Sequence, residues 1–157
     1  MKLVVIAVGR GMPPPVRLLV DDYRQRLLRL GKVELIEVAE ARRDADGPAH
    51  RLQGLQQEAK RIQANIPASS TLVPLDRGGR TLSSLQLAEQ LDLWRQQAGT
   101  VCFLLGGPDG LHPELIQAAP WSLSFGPMTF PHALARVLLL EQIYRAHTIL
   151  QKIPYHR

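Results

Sequence analysis

The chain has 157 residues, room for one compact core, and its 45 % hydrophobic and 21 % charged residues exclude the low-hydrophobicity composition of disordered chains. Nineteen Lys and Arg against fourteen Asp and Glu leave a formal charge of +5, which favours polyanionic partners, nucleic acid among them. The lone Cys102 excludes an intramolecular disulfide and a thiolate metal cluster; with no apolar run near ~20 residues and an amino terminus too short for a signal peptide, a cytoplasmic single domain over residues 1–157 is expected.

Residues 3–8 form an apolar run closed by Gly9 and Met12-Pro13-Pro14-Pro15, the pattern of a buried strand and a turn. Val16, Leu19, Val20, Tyr23, Leu27 and Leu30 then share one face of a helix that Gly31 closes. Branched residues over 33–39 predict a second strand, and the polar stretch 40–49 a solvated basic loop. Leu52, Leu55, Ala59, Ile62 and Ile66 predict a helix running up to Pro67. A strand over 71–75 follows, then a turn at Asp76-Arg77-Gly78-Gly79-Arg80. Ser83 and Gln86 have capping-box spacing ahead of a helical face made by Leu87, Leu91, Trp94 and Ala98. The remaining elements are a strand over 100–105, a short helix over 113–119, a strand over 121–125 and a long helix over 131–151. Strands alternating with helices predict an α/β fold with a mostly parallel sheet and helices on both faces. Ligands of such sheets bind at the carboxyl ends of strands, which singles out the loops after Leu75, Leu105 and Phe125.

Two of those loops have unusual composition. In Leu104-Leu105-Gly106-Gly107-Pro108-Asp109-Gly110 a buried strand runs straight into glycines, which either make a tight turn or let the backbone approach a ligand. The spacing matches neither the GxGxxG dinucleotide fingerprint nor a Walker loop. The stretch from Phe125 through Gly126, Pro127, Met128, Thr129 and Phe130 to His132 is apolar where loops are ordinarily polar. It either packs against a partner chain or covers a flat, partly apolar ligand such as an adenosine moiety. On the last helix Glu141, Arg145, Thr148 and Lys152 fall on one polar stripe, with Glu141 and Arg145 a favourable pair, while the apolar surface is wide enough for a second subunit. Tyr155, His156 and Arg157 together suit stacking on a base and pairing with phosphate. His50 and His112 are expected to be solvated, and Cys102 to be a core residue. No metal-ligand motif is present.

Gly106-Gly107-Pro108-Asp109-Gly110-Leu111, Leu123-Ser124-Phe125 through His132, Arg136 to Leu140 with Glu141-Gln142-Ile143-Tyr144-Arg145-Ala146, and Pro154-Tyr155-His156-Arg157 together resemble the RlmH family. That family comprises SPOUT-class methyltransferases acting on N3 of a pseudouridine in 23S ribosomal RNA. The resemblance covers essentially the whole chain and implies a carboxyl-terminal trefoil knot, a homodimer, no metal, and S-adenosylmethionine as methyl donor. It places the donor against Leu75, Gly106, Gly107, Phe125, Gly126, Pro127, Met128, Thr129 and Phe130. On the same basis His132 is the first candidate for proton removal. Arg145, Tyr155, His156 and Arg157 would hold the RNA, with Glu141 orienting Arg145, and each site would combine one subunit's loops with the other's tail on an assembled ribosome. Two departures stand out: Arg80 where the family often has Lys, and Leu85-Gln86 where an acidic residue is expected near the helix start. The alternatives are a non-catalytic ribosome-binding or assembly factor with the same fold, and a small-molecule transferase.

Overall fold

The computed structural model describes residues 1–42, 46–97 and 99–156. In chain order the elements are β1 (Lys2–Val8), α1 (Pro14–Leu30), β2 (Lys32–Val38), α2 (Pro48–Gln63), β3 (Thr71–Thr81), α3 (Ser84–Gln97), β4 (Thr100–Leu105), α4 (Pro113–Gln117), β5 (Leu123–Ser124) and α5 (His132–Leu150). All strands pair in parallel in the order β2-β1-β4-β3-β5.

The side-chain alternation of a strand divides the core into two layers. Leu3, Val5 and Ala7 of β1 and Val101, Phe103 and Leu105 of β4 pack under α1, α3 and α5, while Val4, Ile6, Val8, Cys102 and Leu104 point to α2 and α4. Right-handed crossovers account for that division, because β1→β2 and β3→β4 run one way along the sheet and β2→β3 and β4→β5 run the other. The connections after neighbouring β3 and β4 therefore leave toward opposite faces, the arrangement that opens a crevice at the strands' carboxyl ends.

The capping box is formed as the sequence predicts: the Gln86 amide N–H donates to Ser83 Oγ at 3.2 Å, and the Ser83 amide N–H donates to Gln86 Oε1 at 2.8 Å. Gln86 thus supplies the acceptor that a glutamate would at this helix start, so the Leu85-Gln86 departure leaves the cap intact.

Other boundaries moved for local reasons. The expected turn at 76–80 is extended chain, continuous with β3, because the segment pairs with β5 after a register shift between Leu75 and Arg80. The helix α2 begins at Pro48, inside the expected loop, and stops at Gln63, short of Pro67. Both α4 and β5 are shorter than expected. Gly31 caps α1 with its N–H on Leu27 O but has an extended backbone, and Leu19 of the expected apolar face is exposed. Ala98 lies outside the described residues. Thr148, expected on a polar stripe, is fully buried and donates to Arg145 O at 2.7 Å. His112, expected in solvent, is buried because its Nδ1 caps α4 by accepting from the Glu114 amide at 3.3 Å. Cys102 is buried mid-strand, and burial pushes its thiol up to about 12.

Ser83→Ala removes one half of the α3 cap and is expected to lower stability by about 1 kcal/mol, read from the denaturant midpoint. Leu91→Ala, which empties a fully buried site, should cost about 2–5 kcal/mol in the same experiment.

Candidate functional site

Pairing between β3 and β4 runs from Thr71↔Val101 to Pro74↔Leu104 and goes no further. Proline has no amide hydrogen to continue a ladder, and beyond it β3 turns to β5 while β4 enters its glycine turn. A cavity of about 420 Å³ occupies the gap, a size typical of small-molecule sites. Its floor is Leu75, Leu105 and Leu123; Gly106, Gly107 and Gly110 form one wall, and Phe125, Gly126, Met128, Thr129 and Phe130 the other. The cavity thus brings together the three loops that the sequence singled out. Of the residues expected to contact the donor, only Pro127 is absent from the lining.

The glycine wall is set by sterics. A Cβ on Gly106 would lie 2.1 Å from the Gly110 carbonyl oxygen, so the hairpin closed by the Gly110 N–H on Gly107 O at 3.0 Å admits no side chain there. Gly110 and Gly126 both have positive φ, which favours glycine at the two loop corners. Ser124 Oγ donates to Arg77 O at 3.0 Å and accepts from the Gly126 amide at 3.0 Å, tying the apolar loop to β3. Gly79 meets Ser122 so closely that a Cβ would fall 2.5 Å from its carbonyl oxygen, and Arg80 stacks over Trp121 at 5.4 Å. The polar lining includes Asp76, Asp109, Arg77 and His132, the first residue of α5.

A second cluster lies farther along α5. Arg145 donates to Glu141 Oε1 through Nε at 3.0 Å and Nη2 at 2.5 Å, a pairing that raises the guanidinium's pKa. The Tyr155 hydroxyl donates to the same Glu141 oxygen at 3.1 Å and lies 3.4 Å from the Tyr23 hydroxyl. Its ring packs edge-on against Tyr144 at 4.9 Å and under the Arg145 guanidinium at 4.7 Å. Burial, then the hydrogen bonds with Tyr23 and Glu141, push the Tyr155 phenol's pKa up, so it stays protonated as a donor. The tail is therefore docked up to Tyr155, while His156 is exposed and Arg157 lies outside the described residues. Glu141 and Arg145 follow His132 by nine and thirteen residues on one helix, about 14 and 20 Å at 1.5 Å per residue. Within one chain the expected catalytic set does not converge: His132 is at the cavity, and Glu141, Arg145 and Tyr155 are not.

A third network escaped the sequence reading. Arg136, one turn after His132, is 1 % exposed. Its Nη2 donates to Val8 O and Gly9 O, each at 3.0 Å, and its Nη1 pairs with Glu37 Oε1. Arg17 grips the same carboxylate at 3.0 and 3.1 Å. Burial lowers the Arg136 pKa, with Glu37 opposing that shift and Arg17 adding to it. Gly9, at φ +99°, faces His132 so closely that a Cβ would lie 3.2 Å from Nε2. The only sequence signal was an arginine inside an otherwise apolar helical face. Among the described residues no group of His, Cys, Asp and Glu is arranged to hold a metal ion, and no helix is long and apolar enough to cross a membrane.

Comparison with known proteins identifies relatives over the whole chain. The family model described as "Predicted SPOUT methyltransferase" matches residues 1–156. A protein of Magnetococcus marinus named "Ribosomal RNA large subunit methyltransferase H" is 46 % identical over 98 % of this chain and 97 % of its own length. A protein of Nitrobacter winogradskyi with the same name is 45 % identical over 100 % of this chain and 99 % of its own. Among solved structures, a probable methylase family protein from Haemophilus influenzae superposes with a TM-score of 0.54 at 14 % identity, over 99 % of this chain and 70 % of that one. A putative Legionella pneumophila methyltransferase in complex with bound SAM gives 0.50 at 14 % identity, over 93 % and 66 %. At that identity these two share the fold.

Gly106→Ala is expected to weaken binding of S-adenosylhomocysteine by about tenfold or more in calorimetric titration, about 1.4 kcal/mol. Gly31→Ala, where a Cβ meets nothing and the backbone is extended, should leave it unchanged.

Proposed function

The chain belongs to the SPOUT methyltransferase family, among the ribosomal RNA large subunit methyltransferases H, and from that premise we propose that it methylates N3 of a pseudouridine in 23S ribosomal RNA with S-adenosylmethionine as donor. The observation that carries this is the cavity at the parting of β3 and β4, with its glycine wall and apolar loop intact. An intact Gly106-Gly107 turn together with the apolar Phe125 to Phe130 loop speaks against a non-catalytic assembly factor.

The lining fits the donor. A flat nucleoside is matched by apolar Leu75, Phe125, Met128 and Phe130 and by backbone groups of residues 106–110, 126 and 128–130, and the carboxylates of Asp76 and Asp109 suit a cationic ligand. When bound, S-adenosylmethionine supplies a methyl group made electrophilic by its sulfonium. The residues of the chain must then align the imide nitrogen and manage its proton, which is chiefly positioning. The N3–methyl bond forms as the methyl–sulfur bond breaks, and the imide proton leaves. His132, held at the cavity rim by the first turn of α5 and by Gly9, is assigned as its acceptor.

The RNA-binding assignment goes to Arg145, Tyr155, His156 and Arg157, with Glu141 fixing Arg145. Because Glu141 and Arg145 stand about 14 and 20 Å along α5 from His132 and Tyr155 packs on that pair, this set serves the cavity of a second copy, and the active form is a homodimer. The exposed apolar residues Leu134 and Leu138 on α5, at 41 % and 37 %, and Leu18 on α1, at 71 %, support a covered face there. The substrate is the assembled ribosome, and the trefoil knot of the family belongs to the same proposal.

Labelled methyl transfer to ribosomes from cells lacking the activity is expected to place label on one pseudouridine of the large-subunit RNA. Truncation after Pro154 should abolish transfer while leaving S-adenosylhomocysteine binding intact. Cofactor binding without any label on ribosomal RNA would overturn the proposal.

A further inference from the structure

We propose that Arg10 and Arg17 form a phosphate-binding rim in cis with the cavity, gripping the ribosomal RNA backbone beside the nucleotide that enters the site; this rests on the function proposed above. At the carboxyl ends of β1 and β2, Arg17 and Arg136 share the single carboxylate of Glu37, and Arg10 lies beside them with its Nε toward the Glu37 backbone carbonyl. Arg136 is buried and spends its Nη groups on Glu37, Val8 O and Gly9 O, so it is the anchor of the cluster. Glu37 offsets that buried charge, and the positive charges of Arg10 and Arg17 remain in excess at the surface.

Arg17 is held in place, and Arg10 is anchored more lightly. Arg17 forks onto Glu37 and donates through Nη2 to Arg10 O at 3.0 Å, and Arg10 Nε approaches Glu37 O at 3.5 Å. A guanidinium has five N–H donors, so these interactions leave donors on each side chain for an oxyanion. Arg10 is exposed and Arg17 partly so. Their location supplies the link to chemistry: Arg10 follows Gly9, whose backbone abuts His132 Nε2, and His132 lines the cavity. A base inserted at His132 carries its flanking phosphates outward past this rim. Two neighbouring guanidinium groups, Arg17 fixed by the half-buried Glu37 carboxylate and Arg10 beside the Glu37 carbonyl, match a phosphodiester in charge and in fork geometry.

The test measures binding of assembled ribosomes to the protein saturated with S-adenosylhomocysteine, across a range of salt concentrations. In R10Q/R17Q the slope of log affinity against log salt should become shallower by about 0.7–0.9 for each phosphate that is no longer neutralised, with S-adenosylhomocysteine affinity and the unfolding midpoint as in the wild type. R10K/R17K should regain most of the slope but less of the affinity, since lysine keeps the charge and lacks the fork. An unchanged slope in R10Q/R17Q overturns the rim. If R10Q/R17Q is destabilised, R10Q alone decides, because the hydrogen bond from the Arg10 side chain to Glu37 O is long and exposed. Failure of the wild-type protein to methylate ribosomes overturns the proposed function instead, and is read in a separate assay.

Discussion

The site depends on one break in the sheet. Strands β3 and β4 stay paired until Pro74, where the missing amide hydrogen ends the ladder, and the strands' connections then leave toward opposite faces. Most of the cavity lining is chain at or just beyond this junction, residues 75–77 from β3 and 105–110 from β4, completed by Leu123 and the loop after β5 and by His132 and Ala135 of α5. The walls are formed mainly by backbone and apolar side chains, because glycine at Gly106 brings two carbonyl-bearing segments closer than any side chain allows. Such a wall recognises a ligand by shape and by main-chain hydrogen bonds, which leaves few titratable groups at the cavity.

The long helix α5 links the two ends of the proposed chemistry and keeps them apart. Its first turn sets His132 at the cavity, its second is pinned to the ends of β1 and β2 by Arg136, and its later turns carry Glu141, Arg145 and the docked Tyr155. A straight helix cannot bring both ends to one point, which is why the proposed composite site draws its tail residues from a second copy. Burying Arg136 is costly in isolation, yet the pair with Glu37 and the hydrogen bonds to the Val8 and Gly9 carbonyls offset its desolvation.

Much of this was legible in the sequence. The strand over 100–105, the Ser83–Gln86 cap and the identity of the three lining loops follow from periodicity and from glycine placement. The turn expected at 76–80 failed because glycine and charged residues read locally as a turn, whereas a partner strand held them extended. Thr148 and His112 were misplaced for a related reason: each satisfies its polar atom locally, Thr148 on Arg145 O and His112 on the Glu114 amide, and so tolerates burial that its residue type argues against. Arg136 was hidden because its partners, Val8, Gly9 and Glu37, are more than ninety residues away in sequence. No local pattern reports such a pairing.

The composite site is tested most directly by mixing two inactive proteins. A variant blocked in the cavity, Gly106→Val, contributes an intact tail, and a chain truncated after Pro154 contributes an intact cavity. Unfolded and refolded together, random pairing should restore about one quarter of wild-type methyl transfer to ribosomes, from the one complete site in each mixed dimer. A mixture no more active than the sum of its separately refolded components would contradict the account, since it would mean that each chain completes its own site.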